Sequence, residues 1–253
     1  MINRKFNIVF SPTGGTQKIV DGLGNLGVGS GSTIDLMKQD LPEYAFKEDD
    51  LCVIAVPSYG GRVPAVALER LASMKAAGTK AVLVVSYGNR DYDDTLLELK
   101  EQMIRQGFVI VACVCAIAEH SIMRQYAAGR PDRNDLAMLK EFGEKITENL
   151  KMDHFDDIAV KGNPDYKTYN GVPLKPESTK NCTQCGACAS RCPVGAIPFD
   201  QPQMTKKDLC ISCMACIAVC PNNARKLPAL LLKGASLKLK KECSVRKENE
   251  LLL

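Results

Sequence analysis

The chain has 253 residues, 45% of them hydrophobic and 25% charged; the length exceeds the roughly 100–200 residues of one ordinary domain, and the balance excludes wholesale disorder or a fibre. The longest uninterrupted apolar run, Phe108 to Ala118, falls well short of the ~18 residues of a spanning helix, so no membrane span is expected. The net charge of +4 comes from the end of the chain: Arg225 to Lys247 holds eight basic residues and one acidic one, which provides no basic body for nucleic acid.

In chain order, Lys5 to Phe10 reads as a short apolar strand, and Thr16 to Leu26 as a helix with Ile19, Val20 and Leu23 on one face. The first apolar run is broken by Asn7 and has no small-residue cleavage site, so it does not resemble a signal peptide, and a cytoplasmic protein is expected. Further strands fall near Thr33 to Met37, Leu51 to Val56, Ala81 to Ser86 and Phe108 to Ile117. Helical patterns occupy Ala65 to Lys75, Asp91 to Gln106 and Asp135 to Leu150. Five strands alternating with helices predict an α/β, doubly wound parallel sheet over residues 1–150, with ligands beyond the carboxyl ends of the strands.

Three loops should meet on that edge: Ser11 to Lys18, Pro57 to Pro64, and Tyr87 to Tyr92. In the first, Gly14 and Gly15 let backbone N–H groups turn inward while Ser11, Thr13 and Thr16 add hydroxyls at a helix N-terminus, which suits a phosphate. Taken alone, the same letters suit a Gly-rich turn with a Thr cap. Gly22 to Gly27 satisfies G-x-G-x-x-G but lies at the end of the first helix, where it reads as a helix stop, and the opening loop lacks a G-K-[ST] ending.

The first 150 residues resemble a flavodoxin, whose FMN phosphate is held by a S/T-x-T-G-x-T loop; Ser11, Thr13, Gly14 and Thr16 match it, with Gly15 between them. The resemblance implies an FMN whose ring lies between the other two loops. There Ser58, Tyr59, Gly60 and Gly61, and then Tyr87, Gly88 and Asn89, are the matching candidates. Tyr59 and Tyr87 would flank the ring, with Tyr92 a weaker candidate. Two departures stand out: the chain has no Trp, and Arg62 and Arg90 lie where flavodoxins tend to be acidic, which would raise the flavin potential.

His120, just past the last parallel strand, could donate a proton to a bound substrate or be a satisfied structural histidine. Cys113 and Cys115 point to one face of a strand and, like Cys52, read as buried small hydrophobes. Residues 151–180, including His154, read as a linker that Tyr166 and Tyr169 could anchor. Residues 227–253 form a basic, leucine-containing tail, read as a solvated helix or frayed end, with an anionic membrane surface or acidic partner as the competing role.

Eight of the twelve cysteines lie between residues 182 and 220. Cys182, Cys185, Cys188, Cys192 and Pro193 spell C-x2-C-x2-C-x3-C-P, and Cys210, Cys213, Cys216, Cys220 and Pro221 repeat it 28 residues on. Zinc takes ligands in two pairs, whereas this spacing wraps three corners of an iron–sulfur cube and leaves the fourth to a distant residue. The segment resembles the bacterial two-cluster ferredoxins, a small α+β domain expected over residues 181–226. That resemblance implies one [4Fe-4S] cluster on Cys182, Cys185, Cys188 and Cys220, and a second on Cys210, Cys213, Cys216 and Cys192.

Two functions follow as expectations. One is an electron carrier relaying low-potential electrons between redox protein partners through two clusters and FMN. The other is a flavin-dependent reductase of a small-molecule oxidant fed by its own ferredoxin half. In a weaker third, the flavin site is empty and the clusters serve a partner complex.

Overall fold

The structure, a computed structural model, describes residues 2–29, 31–152 and 154–253. The first part alternates β1 (Arg4–Val9), α1 (Gly15–Gly22), β2 (Ser32–Asp35), β3 (Ala45–Phe46), β4 (Asp50–Pro57), α2 (Ala65–Ala72) and β5 (Lys75–Ala76). It continues with β6 (Thr79–Tyr87), α3 (Thr95–Arg105), β7 (Phe108–Ile117) and α4 (Arg133–Asn149). The small hairpin-like elements follow: β8 (Glu177–Ser178), α5 (Ala187–Ser190), α6 (Ala215–Ala218) and β9 (Arg225–Lys226), then α7 (Ala229–Cys243) and β10 (Glu250–Leu252).

The main sheet has the order β10-β7-β6-β4-β1-β2. Its five parallel strands, counted alone, run 2-1-3-4-5, the flavodoxin-like doubly wound order whose switch point lies between β1 and β4. Alternation of side chains along each strand divides the core. Leu51, Val53 and Ala55 of β4 face α1 and α4, while Cys52, Ile54 and Val56 face α2 and α3. Burial of each such aliphatic side chain contributes about 1.5–3 kcal/mol. Cys52, Cys113 and Cys115 lie in the second layer, fully covered, and burial pushes their thiols up, Cys113 to about 12. They are inert packing groups, as expected.

The G-x-G-x-x-G stretch is a helix stop: α1 ends at Gly22, and Gly24, Leu26 and Gly27 all take positive φ in the turn that follows.

The sheet has one strand more than the sequence pattern predicts. Residues 250–252 return from the tail and pair antiparallel with β7, Glu250 opposite Cys115 and Leu252 opposite Cys113. The tail is therefore a helix, α7, followed by a strap that covers the sheet edge, not a frayed end. Its hold is polar as well. Arg130 pairs with the buried Asp135, Arg246 joins both Asp132 and Asp135, and Asn249 accepts from the Ile117 N–H at 2.9 Å.

Residues 158–167 lie against α3 and its N-terminal turn. Ile158 is buried in the core, and Lys100 donates to its carbonyl at 2.6 Å. Asp94 accepts from the Asn163 and Lys167 N–H groups at 2.8 and 2.7 Å, and Tyr166 donates to Glu101. No described helix is long and apolar enough to cross a membrane.

Candidate functional site

The cysteine segment repeats in three dimensions as it does in sequence. α5 and α6 start 28 residues apart, and the left-handed backbone positions recur at that offset: Gln184 and Ser212, Gly186 and Met214, Gly195 and Asn223. Met214 thus holds φ +64 where the first repeat uses a glycine. Each repeat also closes an N–H···S bond at the cysteine preceding proline. Ala196 donates to Cys192 Sγ and Ala224 to Cys220 Sγ, both at 3.2 Å. β8 and β9 pair across the duplication.

Cys182, Cys185, Cys188 and Cys220 line one small cavity, so the last cysteine of the second repeat joins the first three of the first. Cys213 lies among Cys216, Cys192 and Cys210, the converse exchange. Burial pushes the Cys213 and Cys216 thiols up to about 12. Buried sulfurs of this kind become thiolates only against positive charge, which an iron–sulfur cluster would supply. Cys220 is held below the ordinary thiol value: burial opposes ionisation, but the N–H groups of Ala224, Asn222 and Arg225 outweigh it. Among the described residues, no three His, Cys, Asp or Glu side chains converge on a single ion.

The two cysteine sets differ in surroundings. Cys185 is exposed, with Cys182 and Cys220 half-buried. Cys192, Cys213 and Cys216 are buried, and Cys213 and Ala215 pack into the core layer that carries α2 and α3. Polar contacts fix the junction. Gln39 donates to the Cys192 carbonyl at 3.0 Å, Arg70 bridges the carbonyls of Leu36 and Pro193, and Arg191 pairs with Asp35 at 2.5 Å.

At the carboxyl edge of the sheet the three expected loops do converge, joined by the loop after β7: Thr13, Thr16, Ser58, Gly88 and His120 line one groove. Gly14 is the α1 N-cap at φ +88, with no side-chain cap. Ser11 Oγ accepts from the Gln17 N–H at 3.0 Å, which leaves its own proton to donate, and Thr16 Oγ1 shares a hydrogen bond of 2.7 Å with Ser86. Gly15 is required by packing, because a Cβ there would come within 2.9 Å of the Ala118 Cβ. The groove opens, through Ser58, Tyr59, Gly88, His120 and Ser121, into a cavity of about 590 Å³ roofed by Leu230, Leu231 and Leu239 of α7.

Tyr59 sits where the two halves meet. It lines both the groove and the cavity, and its hydroxyl is pushed well above its ordinary value by burial, with Cys213, Tyr169 and Cys210 beside it. Ser212, between those cysteines, lines the same cavity. Gly60 is needed at φ +60, and the Tyr169 ring covers it so closely that a Cβ would lie 2.2 Å from that ring.

Three of the residues expected at the ring, Tyr92, Asn89 and Gly61, line neither the groove nor the cavity. Tyr87 lines the groove, and its ring packs edge-on at 5.4 Å against that of Tyr92, which is buried in the core and donates to Glu250 of the strap at 2.9 Å. Asn89 is buried and turned to the C-terminal strap, donating to the carbonyls of Cys243 and Val245, each at 2.8 Å. Gly61 lies against Asp93 and not on the cavity wall. The second aromatic at the cavity is Tyr169, which the sequence marked only as an anchor of residues 151–180.

Both arginines are paired with carboxylates. Arg62 pairs with Glu98 and lies over the Tyr166 ring at 4.9 Å, and Arg90 pairs with Asp93. Their expected effect on a flavin potential is correspondingly reduced.

Residues 181–224 match the family described as a 4Fe-4S dicluster domain. Ferredoxin-2 of Chlorobaculum tepidum is 40% identical over 50 residues, 17% of this chain and 81% of that protein. The polyferredoxin protein MvhB of Methanothermus fervidus is 34% identical over 61 residues, 24% of this chain but only 15% of that protein's length. A flavodoxin of Streptococcus pneumoniae TIGR4 is similar at 17% identity and a TM-score of 0.38, over 58% of this chain and 99% of that one. The flavodoxin-like description of the sheet rests on its strand order.

Proposed function

Because the chain belongs, through residues 181–224, to the dicluster [4Fe-4S] ferredoxins, we propose that it relays low-potential electrons between redox proteins through two clusters and an FMN at the sheet edge. The observation that carries this reading is the packing of Tyr59, on the loop after β4, against the core layer that contains Cys213. In this reading residues 1–150 hold the flavin, residues 151–180 connect, residues 181–226 hold the clusters, and residues 227–253 close the assembly.

Cys182, Cys185, Cys188 and Cys220 hold the outer cluster; Cys210, Cys213, Cys216 and Cys192 hold the inner one. The exposed Cys185 makes the outer set the place where a protein partner exchanges electrons, and the buried inner set faces the flavin. N–H···S bonds from Ala196 and Ala224 help set the two potentials.

At the sheet edge, the N–H groups at the start of α1 with Ser11, Thr13 and Thr16 hold the phosphate. Gly14 and Gly15 leave the backbone open to it. Ser58, Tyr59, Gly60 and Gly88 face the ring together with Tyr169. Bound FMN supplies the conversion between one-electron and two-electron exchange. The cavity fits this use, since about 300–1,000 Å³ is usual for a small-ligand site and this one adjoins a phosphate-type loop.

A flavin-dependent reductase is the alternative, favoured by the reach of the cavity beneath α7, where Leu230 stands 87% exposed at its rim. Anaerobically isolated protein is expected to carry FMN and about eight irons per chain, from two four-iron cubes. One zinc with no inorganic sulfide would overturn the proposal. After stepwise reduction, exchange with protein partners only supports the relay, and multiple turnovers with a small-molecule oxidant support the reductase.

A further inference from the structure

His120 lies three residues past the end of β7, at the seam between the groove and the cavity, and lines both. Its ring orientation is fixed by the backbone around it. The Ile122 and Met123 N–H groups both donate to Nδ1, at 3.2 and 3.3 Å, and its own N–H donates to the Tyr126 carbonyl at 3.1 Å. The ring lies against Gly88, where a Cβ would meet its Cδ2 at 2.7 Å. A ring nitrogen that accepts two hydrogen bonds cannot carry the proton, so the proton is on Nε2.

Nε2 has no hydrogen-bond partner among the described residues. Burial, opposed by a contact with its own backbone and assisted by the charge of Arg90, lowers the imidazole pKa to about 4. The ring is therefore a neutral donor with one defined direction over the whole neutral pH range.

We infer that His120 is a positioning residue whose Nε2–H donates a hydrogen bond to an acceptor atom of the FMN ring system. The role rests on the FMN reading above. Such a bond carries no formal charge, and it strengthens as electron density on the acceptor rises, so it holds the reduced flavin more tightly than the oxidised one. Of the hydroxyls nearby, Thr16 and Ser86 share one hydrogen bond, and Ser58 Oγ donates to the Tyr92 carbonyl at 3.4 Å while accepting from Thr95.

The test compares full-length wild type with His120→Phe and His120→Gln, all with their clusters, by FMN titration and flavin potentiometry. His120→Phe is expected to bind oxidised FMN several-fold more weakly. If the bond favours the reduced form by tenfold, its two-electron potential falls by about 30 mV. His120→Gln, which keeps an N–H donor, restores part of both. Unchanged affinity and potential in a folded His120→Phe protein with full iron content would overturn the role while leaving the FMN reading intact. A wild-type chain that holds eight irons but takes up no FMN would overturn both.

Should the variants fail to fold, wild type supplies the second measurement. The chain has only two histidines, so ¹⁵N-histidine labelling with His154→Gln for assignment isolates the His120 ring. Its Nε2–H resonance is expected to shift on FMN addition, and a resonance that stays in place overturns the role.

Discussion

Asn89 gives the most direct test of how the C-terminal strap is held. Its side chain makes three hydrogen bonds: Nδ2 to the carbonyls of Cys243 and Val245, each at 2.8 Å, and Oδ1 from the Lys247 N–H at 3.3 Å. Asn89→Gly removes all three but keeps the backbone at φ +67 free of strain. The buried Cys243 carbonyl then loses its side-chain donor at about 1–3 kcal/mol, and the two half-buried bonds add about 0.5–1.5 kcal/mol each, with water replacing part. The expected loss is about 2–4 kcal/mol, a large share of a typical domain stability of about 5–15 kcal/mol. Asn89→Ala should cost about 1 kcal/mol more, because its Cβ disfavours the left-handed backbone. Urea unfolding measures the totals, and hydrogen exchange at Cys113 to Cys115, the β7 residues paired with the strap, locates them. Asn89→Gly within 0.5 kcal/mol of wild type, or Asn89→Ala more stable than Asn89→Gly, would refute the reasoning.

Cys192→Ala should remove the cluster held by Cys210, Cys213 and Cys216, and Cys220→Ala the other, each leaving about four irons; loss of the cluster in the variant's own repeat would contradict the exchange of the fourth ligand. Thr16→Leu should abolish FMN binding and leave iron content unchanged, since Thr16 is buried against Ser86 on the sheet side of the loop; loss of both cofactors in titration and iron assay would show the two halves to be one unit. Stability should fall as pH drops from about 6.5 towards 4, because the unfolded chain binds a proton at His120 in that window while the folded chain, with a pKa of about 4, does not. Asp91, Asp93 and Glu119, all held below the usual carboxylate range against the effect of burial by their cationic and N–H partners, add their losses lower still. The urea midpoint of His120→Gln should lack the first decline, and an unchanged profile would refute the assignment.

The parallel strands were legible because both faces of the sheet are covered, which writes them as unbroken apolar runs such as Ala81 to Ser86. The cysteine pattern was legible because cluster geometry imposes short fixed spacings. β10 was not: three residues have no periodicity, and their pairing is decided by Arg130, Asp135 and Asn249 more than a hundred residues away in sequence or bound to partners that are. The aromatic loops were legible only in part. Nothing local distinguishes Tyr59, at the cavity, from Tyr92, turned inward by a carboxylate on the strap. The partner of Arg90 lies three residues on and could be foreseen, whereas that of Arg62 sits on α3 and could not.

The strap has a consequence for the birth of the molecule. β7 is complete at Ile117, but the strand that covers its outer edge begins at Glu250. At roughly 5–20 residues per second, a ribosome needs on the order of ten seconds to cross that interval. For that time the ten-residue edge FVIVACVCAI offers open N–H and C=O groups. A nascent neighbour's last strand could fill the place as well as the chain's own, so the failure expected of slow or crowded synthesis is an exchanged dimer, each copy wearing the other's strap.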